Sequence, residues 1–263
     1  WSAKAVSMGG AVVGSTSGAE ALYFNPAGLA ESSARGEISL NFSPTFSKFS
    51  GVNPYNTSAG SPLSSDGKQG FSPVVGVVAS FKPTSKLGIG AGYYVSGGTK
   101  SKYEDVSYAE VDQDYNTLFP TIETELAITE AALGAGYEIV PGLRIGAALR
   151  MITVKGKFST TTVAPSTALI EGKVDNIEAK RWNAFKLGAQ YEEPNHRWGL
   201  GANFRSAVVF IGKGDASARR ELAASGSVTD MGTGHAELDN TFPLQIAVGG
   251  WTRATELLRL SYE

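Results

Sequence analysis

The sequence has no cysteine, which excludes disulfides and thiolate metal sites. It has no run of about eighteen apolar residues, which excludes a membrane-spanning helix but not a membrane-spanning strand. Charged residues are only 18% of the 263, below the usual quarter or so. The formal net charge is −2, which offers nothing to steer the chain to nucleic acid. Its two histidines, His196 and His235, stand far apart and lack a plausible nucleophile partner. The acidic run Glu104, Asp105, Glu110, Asp112 and Asp114 lacks the glycine and bidentate glutamate of a calcium loop and reads as a solvated loop. Gly88-x-Gly90-x-Gly92 opens no helix, so it is no dinucleotide fingerprint. Asn56-Thr57-Ser58 matches a glycosylation pattern and carries no further weight. No cofactor and no metal are expected.

What the chain does have is alternation. With 32 glycines for tight turns, segments of about ten residues with period-two hydrophobicity succeed one another from residue 36 onward. Ile38, Leu40 and Phe42 oppose Glu37, Ser39 and Asn41. Leu143, Ile145, Ala147, Leu149 and Met151 oppose Arg144, Gly146, Ala148 and Arg150. Trp198, Leu200, Ala202, Phe204, Val208 and Phe210 oppose Arg197, Gly199, Gly201, Asn203 and Arg205. About nine such strands are countable. Tight connections at 83–85, 140–142, 193–196 and 253–255 take turns with long polar stretches near 50–71, 98–124, 159–180 and 212–240. Short turns at one end and long loops at the other, with one apolar and one polar face per strand, predict an all-β, antiparallel, up-and-down transmembrane barrel rather than a soluble sandwich. Phe46, Phe81, Tyr137, Tyr191, Trp198, Phe242 and Trp251 fall near strand ends, as interfacial girdles do.

Residues 1–35 break the pattern. Ser17-Gly18-Ala19-Glu20 fits a capping box that opens a short helix through Ala21, Leu22, Tyr23 and Phe24. Asn25 precedes Pro26 and is thereby disfavoured from helical geometry, so the helix ends there. Pro26 then suits the first position of a second turn over Ala27-Gly28-Leu29-Ala30. The expectation is a partly helical plug over 1–35 and a barrel over 36–263.

The segment Met8-Gly9-Gly10-Ala11 and the run Ala21 to Ala30, with Asn25-Pro26-Ala27 at its centre, resemble the N-terminal hatch of the FadL-type outer-membrane transporters of long-chain fatty acids and other hydrophobic compounds. Thr241-Phe242-Pro243-Leu244, Val248-Gly249-Gly250 and Leu258 to Glu263 look like strands from the middle of that family's barrel. The resemblance implies a fourteen-stranded barrel with the hatch motif at Asn25, Pro26 and Ala27. Nine strands are an odd number, and the meander stops in mid-strand. The expectation is therefore a barrel incomplete at its C-terminus and lacking the first few hatch residues. The implied setting is a Gram-negative outer membrane, with outer-membrane lipid and lipopolysaccharide around a monomer.

With the hatch at the periplasmic end, the inward phase can be followed strand by strand. Val74, Val78, Tyr94, Ile152, Val154, Trp182 and Val209 form an apolar inner patch, which lines a greasy ligand or packs against the hatch. At mid-height, Arg150 and Arg205 are candidate partners for a carboxylate, or members of a salt-bridge network with Glu130 and Lys186. Gly88, Gly90 and Gly92 mark a kink in the third strand or make room for the plug. The resemblance adds lateral release through a gap at the kinked third strand, and a hydrophobic capture groove to which Leu118, Phe119 and Ile122 contribute. The function it implies is passive, non-enzymatic passage of hydrophobic molecules, long-chain fatty acids first. The alternatives are a lipid-acting barrel enzyme, which needs a Ser–His pair, and a structural or adhesin barrel, which needs no apolar inner patch.

Overall fold

The computed structural model describes residues 2–32, 34–52, 64–104, 121–164, 168–222, 225–256 and 258–263. Asn56-Thr57-Ser58, Leu118, Phe119 and the acidic run after Glu104 lie outside them. The N-terminal segment contains α1 (Ala3–Ser7), a 3₁₀ turn (Gly18–Glu20), α2 (Ala21–Phe24) and a second 3₁₀ turn (Pro26–Ala30). Asn25 sits in extended geometry between the last two, and its side chain accepts from Ala27 N. Ser17 does not act as the expected capping box: its side chain makes no cap bond, because the 3₁₀ turn holds the chain there instead.

Eleven strands form one antiparallel sheet: β1 (Gly36–Ser43), β2 (Val74–Phe81), β3 (Leu87–Tyr103), β4 (Ile122–Val140), β5 (Leu143–Ala164), β6 (Ala168–Glu192), β7 (Trp198–Arg205), β8 (Val208–Leu222), β9 (Val228–Phe242), β10 (Gln245–Arg253) and β11 (Arg259–Tyr262). The order runs β1 to β7, then β10 and β11; β8 pairs with the upper part of β6 and with β9. Each neighbour in sequence is a neighbour in space, except that β7–β8 and β9–β10 are single crossing strands broken at Ser206-Ala207 and Pro243-Leu244. No pairing joins β1 to β11 among the described residues. Much of the polar sequence expected as long loops is strand: β5 and β6 run on to Ala164 and from Ala168, and β8 and β9 make a second ribbon. Polar residues extend a ladder readily where water, not lipid, is the solvent.

The apolar face points away from the N-terminal segment. Leu40, Leu133, Leu149 and Val248 are 78%, 62%, 65% and 65% exposed, where a soluble sandwich would bury them. On β5 the outward apolar run from Leu143 to Met151 gives way to Thr153, Lys155 and Lys157, close to the roughly 9–11 residues that cross a hydrocarbon layer. Lys157 pairs there with Glu123 at 3.0 Å. No described helix is long and apolar enough to cross a membrane. Phe46, Phe81, Tyr137, Tyr191 and Trp198 are exposed at the outer face as expected, but Trp251 is buried and turned inward. Its indole donates to Gly14 O at 3.1 Å, a bond that outward placement would forgo.

Candidate functional site

The concave face of the sheet holds three tiers. The lowest is a seat for the N-terminal segment. Gly88, Gly136, Gly146 and Gly188 are register partners across β3, β4, β5 and β6. A Cβ at Gly136 would lie 2.6 Å from Pro26 O, and side chains at Gly146, Gly188 and Gly88 would overlap Pro26, Asn25 and Leu29 in turn. A row of missing side chains lets Asn25 to Ala30 lie directly on the sheet.

Polar side chains then fasten the segment. Asn25 is fully buried, and its amide nitrogen donates to Val13 O at 2.9 Å, Ala189 O at 3.1 Å and Ala202 O at 3.2 Å. Gln190 donates to Val13 O and Thr16 O, and Asn203 to Phe24 O at 2.6 Å. The Glu263 carboxylate accepts from Val12 N and Val13 N. Leu22 and Leu29 are fully buried in a cluster with Val78, Tyr94, Ala132 and Ala148, worth about 1.5–3 kcal/mol per large side chain. At the lower rim Arg144 binds both Glu31 and Glu192. Burial drives the Glu31 carboxyl up to about 7; Arg144 pulls it down and the Glu192 charge pushes it further up.

The middle tier is charged. Arg150 and Glu130 form a buried two-point pair, Nε to Oε1 at 2.8 Å and Nη2 to Oε2 at 2.6 Å, and Tyr94 OH also binds Glu130. Lys186 is fully buried and donates to the carbonyls of Leu22 and Tyr23 at the C-terminal end of α2, which a helix end leaves without partners of its own. The Arg205 guanidinium lies 5.9 Å from the Tyr23 ring centre.

Above this tier is a cavity of about 130 Å³, walled by Ile128, Ile152, Val208, Phe242 and Pro243, with Ser96, Ser206 and Gln245 at its edge and Arg150 and Arg205 at its floor. Arg150 Nη1 is buried with no hydrogen-bond partner among the described residues, so one strong donor is left over beside the cavity. Ile152, Val154, Ala179, Ala184, Val208 and Phe210 make a second apolar cluster behind the wall.

The inner patch expected from the sequence therefore divides. Val78 and Tyr94 pack against the N-terminal segment, Val74 lies on the same inner face, Ile152 lines the cavity, and Val154 backs it. Trp182 and Val209 do not belong: they are 73% and 56% exposed on the outer face. A bulge between Arg181 and Ala184 shifts the phase of β6, and the break at Ser206-Ala207 shifts that of β8; a one-residue shift moves every later side chain to the opposite face. The same break buries Val208 and Phe210, which the sequence pattern placed outward. The β3–β4 register runs unbroken through Gly88, Gly90 and Gly92. The bulge sits higher, between Val95 and Gly97, and the glycines give space to Leu29 and Val78. Arg150 proves to be in a salt bridge, whereas Arg205 stacks on Tyr23. His196 binds Glu192 in a turn at 2.5 Å. His235 is on a strand after all, in β9, 4.0 Å from Asp215 and almost fully exposed.

The family model described as outer membrane protein transport protein (OMPP1/FadL/TodX) matches residues 2–263. Among solved structures, the chain is similar to the P. putida toluene transporter TodX, with a TM-score of 0.80 and 16% identity over 96% of this chain and 66% of that one. It is similar to a Pseudomonas aeruginosa FadL homologue, with a TM-score of 0.68 and 14% identity over 95% and 64%. It is also similar to the Ralstonia pickettii toluene transporter TbuX, with a TM-score of 0.63 and 15% identity over 97% and 69%. The chain thus spans just under two thirds of the length of the TodX structure, and at these identities the likeness shows the fold alone. No curated protein matches the sequence.

Proposed function

We propose, for a chain that belongs to the OMPP1/FadL/TodX family of outer-membrane transport proteins, that it lets hydrophobic molecules pass down their gradient across a Gram-negative outer membrane, long-chain fatty acids first among them. The observation that carries this reading is the apolar-walled cavity lying on the charged tier above the N-terminal segment. Five apolar residues wall it and the polar ones gather at its edge and floor, the two-part lining that an amphipathic molecule needs. Each methylene that leaves water for such walls gains about 0.8 kcal/mol. A carboxylate head would find the spare Arg150 Nη1 and the guanidinium of Arg205 on the floor, where charge-assisted bonds are strongest. The segment over residues 1–35 acts as the hatch beneath. No step of chemistry is needed. The barrel works as a monomer with lipid and lipopolysaccharide around it.

A second substrate class is favoured by size. About 130 Å³ is near the roughly 150 Å³ of an engineered apolar cavity that takes up benzene, and two of the similar structures are toluene transporters. Uptake of radiolabelled oleate, its methyl ester and toluene by transporter-deficient cells carrying the protein separates the classes. Arg205→Ala should reduce oleate uptake and leave the ester and toluene unchanged. Equal loss for all three contradicts the carboxylate role.

A further inference from the structure

We propose that the outer wall carries a binding site for a phosphorylated glycolipid of the outer leaflet, built from Trp182, Lys180 and Lys155 and an adjoining hollow over β4, β5 and β6. The proposal rests on the outer-membrane setting of the family and not on the cargo. On β5 the outward residues are apolar up to Met151, and Thr153, Lys155 and Lys157 follow. The ladder sets Lys180 opposite Thr153 and Glu178 opposite Lys155. Trp182 comes directly after Arg181, the partner of Ile152, and so stands beside Met151 at the upper border of the apolar band.

At about 3.3 Å per residue and a tilt of about 35–45°, the levels of Lys180 and Lys155 lie roughly 5 and 10 Å above that border. The polar headgroup layer adds roughly 5–7 Å to each side of the hydrocarbon core. Lys180 is therefore level with lipid headgroups, and the long stem of Lys155 lets its ammonium reach down to them. The N-terminal segment lies at the other end of the sheet, so the leaflet in question is the outer one.

Lys155 makes no ion pair among the described residues, for Glu178 across from it is held by Lys180 at 2.8 Å. Lys157 shares Glu123 at 3.0 Å and Glu125 at 3.5 Å. Exposed pairs of this sort contribute little, so a doubly charged phosphate draws such lysines to itself readily. A bulge between Val174 and Ile177 sets Asp175 and Asn176 opposite the single Lys157. It opens an outer hollow of about 520 Å³ lined by Lys155, Lys157, Asp175, Asn176 and Glu178 among others. A smaller hollow of about 170 Å³ adjoins it, sharing Lys157 and Asp175 and adding Lys173. The amide and carboxylates there suit the hydroxyls of a sugar. Trp182 stands exposed beside them, and its electron-rich ring face suits the C–H face of a pyranose. A glycerol headgroup would use the lysines alone and leave the ring and the hollow without a task.

The full-length protein in phosphatidylcholine nanodiscs is titrated with lipid A, with dephosphorylated lipid A and with phosphatidylglycerol, and native mass spectrometry counts the bound lipid. Lipid A should bind about tenfold tighter than either of the others, the scale of losing a few charge-assisted bonds. Equal binding of lipid A and its dephosphorylated form overturns the site, and so does equal binding of lipid A and phosphatidylglycerol; neither comparison needs a variant. Lys155→Glu with Lys180→Glu should weaken lipid A about tenfold, while Lys86→Glu, at the turn before β3 on the opposite end, leaves it unchanged. The same affinity in both overturns the lysine role. Trp182→Ala should weaken lipid A and leave phosphatidylglycerol as it was; unchanged lipid A binding overturns the sugar contact. No cargo enters these titrations, so their failure leaves the transport reading standing.

Discussion

Lys186 on β6 reaches into the N-terminal segment and donates from Nζ to the carbonyl of Leu22, 3.2 Å away. The sheet thereby holds the last turn of α2 by its unpaired carbonyls. Lys186→Ala leaves the buried carbonyl of Leu22 and the part-buried one of Tyr23 without their donor, at about 1–3 kcal/mol for the buried group. The expected outcome is a loosened hatch, seen as greater entry of a large polar antibiotic into cells that carry the variant.

Asn25 gives three carbonyls a donor and receives Ala27 N. Asn25→Asp keeps the acceptor but aims a carboxylate at those carbonyls, so it should loosen the hatch more than Asn25→Ala. Entry of the polar antibiotic ranks the two: it rises in both, and further in the aspartate.

The glycine row makes a contrast within one residue type. Gly146→Ala meets Pro26 and Ala27 N, whereas Gly234→Ala meets nothing within 4 Å. Overpacking of this kind costs about 1–3 kcal/mol. Thermal unfolding should show a lowered midpoint for Gly146→Ala and almost none of that loss for Gly234→Ala.

Glu31 titrates near neutrality. Its carboxyl is raised from 4.5 to about 7 by burial, with Arg144 opposing and Glu192 adding to the rise. A raised acid favours the docked state while protonated. That contribution is full below about 4.5 and is lost as pH rises through about 7. Entry of the polar antibiotic should rise between pH 6 and pH 8, and Glu31→Gln should flatten the rise.

The sequence was informative where chemistry is local. Pro26 and the side chain of Asn25 set the turn between α2 and Pro26–Ala30, and strict alternation puts Leu149 outward and Glu130 and Arg150 inward. It was uninformative where a single backbone step decides the outcome. Nothing in the residues announces the bulge after Arg181 or the break at Ser206-Ala207, so Trp182, Val209, Val208 and Phe210 were assigned to the wrong faces. The seat was hidden for another reason. Gly88, Gly136, Gly146 and Gly188 lie far apart in the chain, and only the registers of three ladders bring them into one row.

The central claim is that the cavity over the hatch holds the hydrophobic molecule in transit. Ile152→Trp fills it from β5 without touching Asn25 or the glycine row. Initial rates of radiolabelled oleate and toluene uptake, measured at equal amounts of heat-modifiable barrel in the outer membrane, give the direct test. Both rates should fall to the level of cells without the protein. Parental rates for both in the filled variant would contradict the claim.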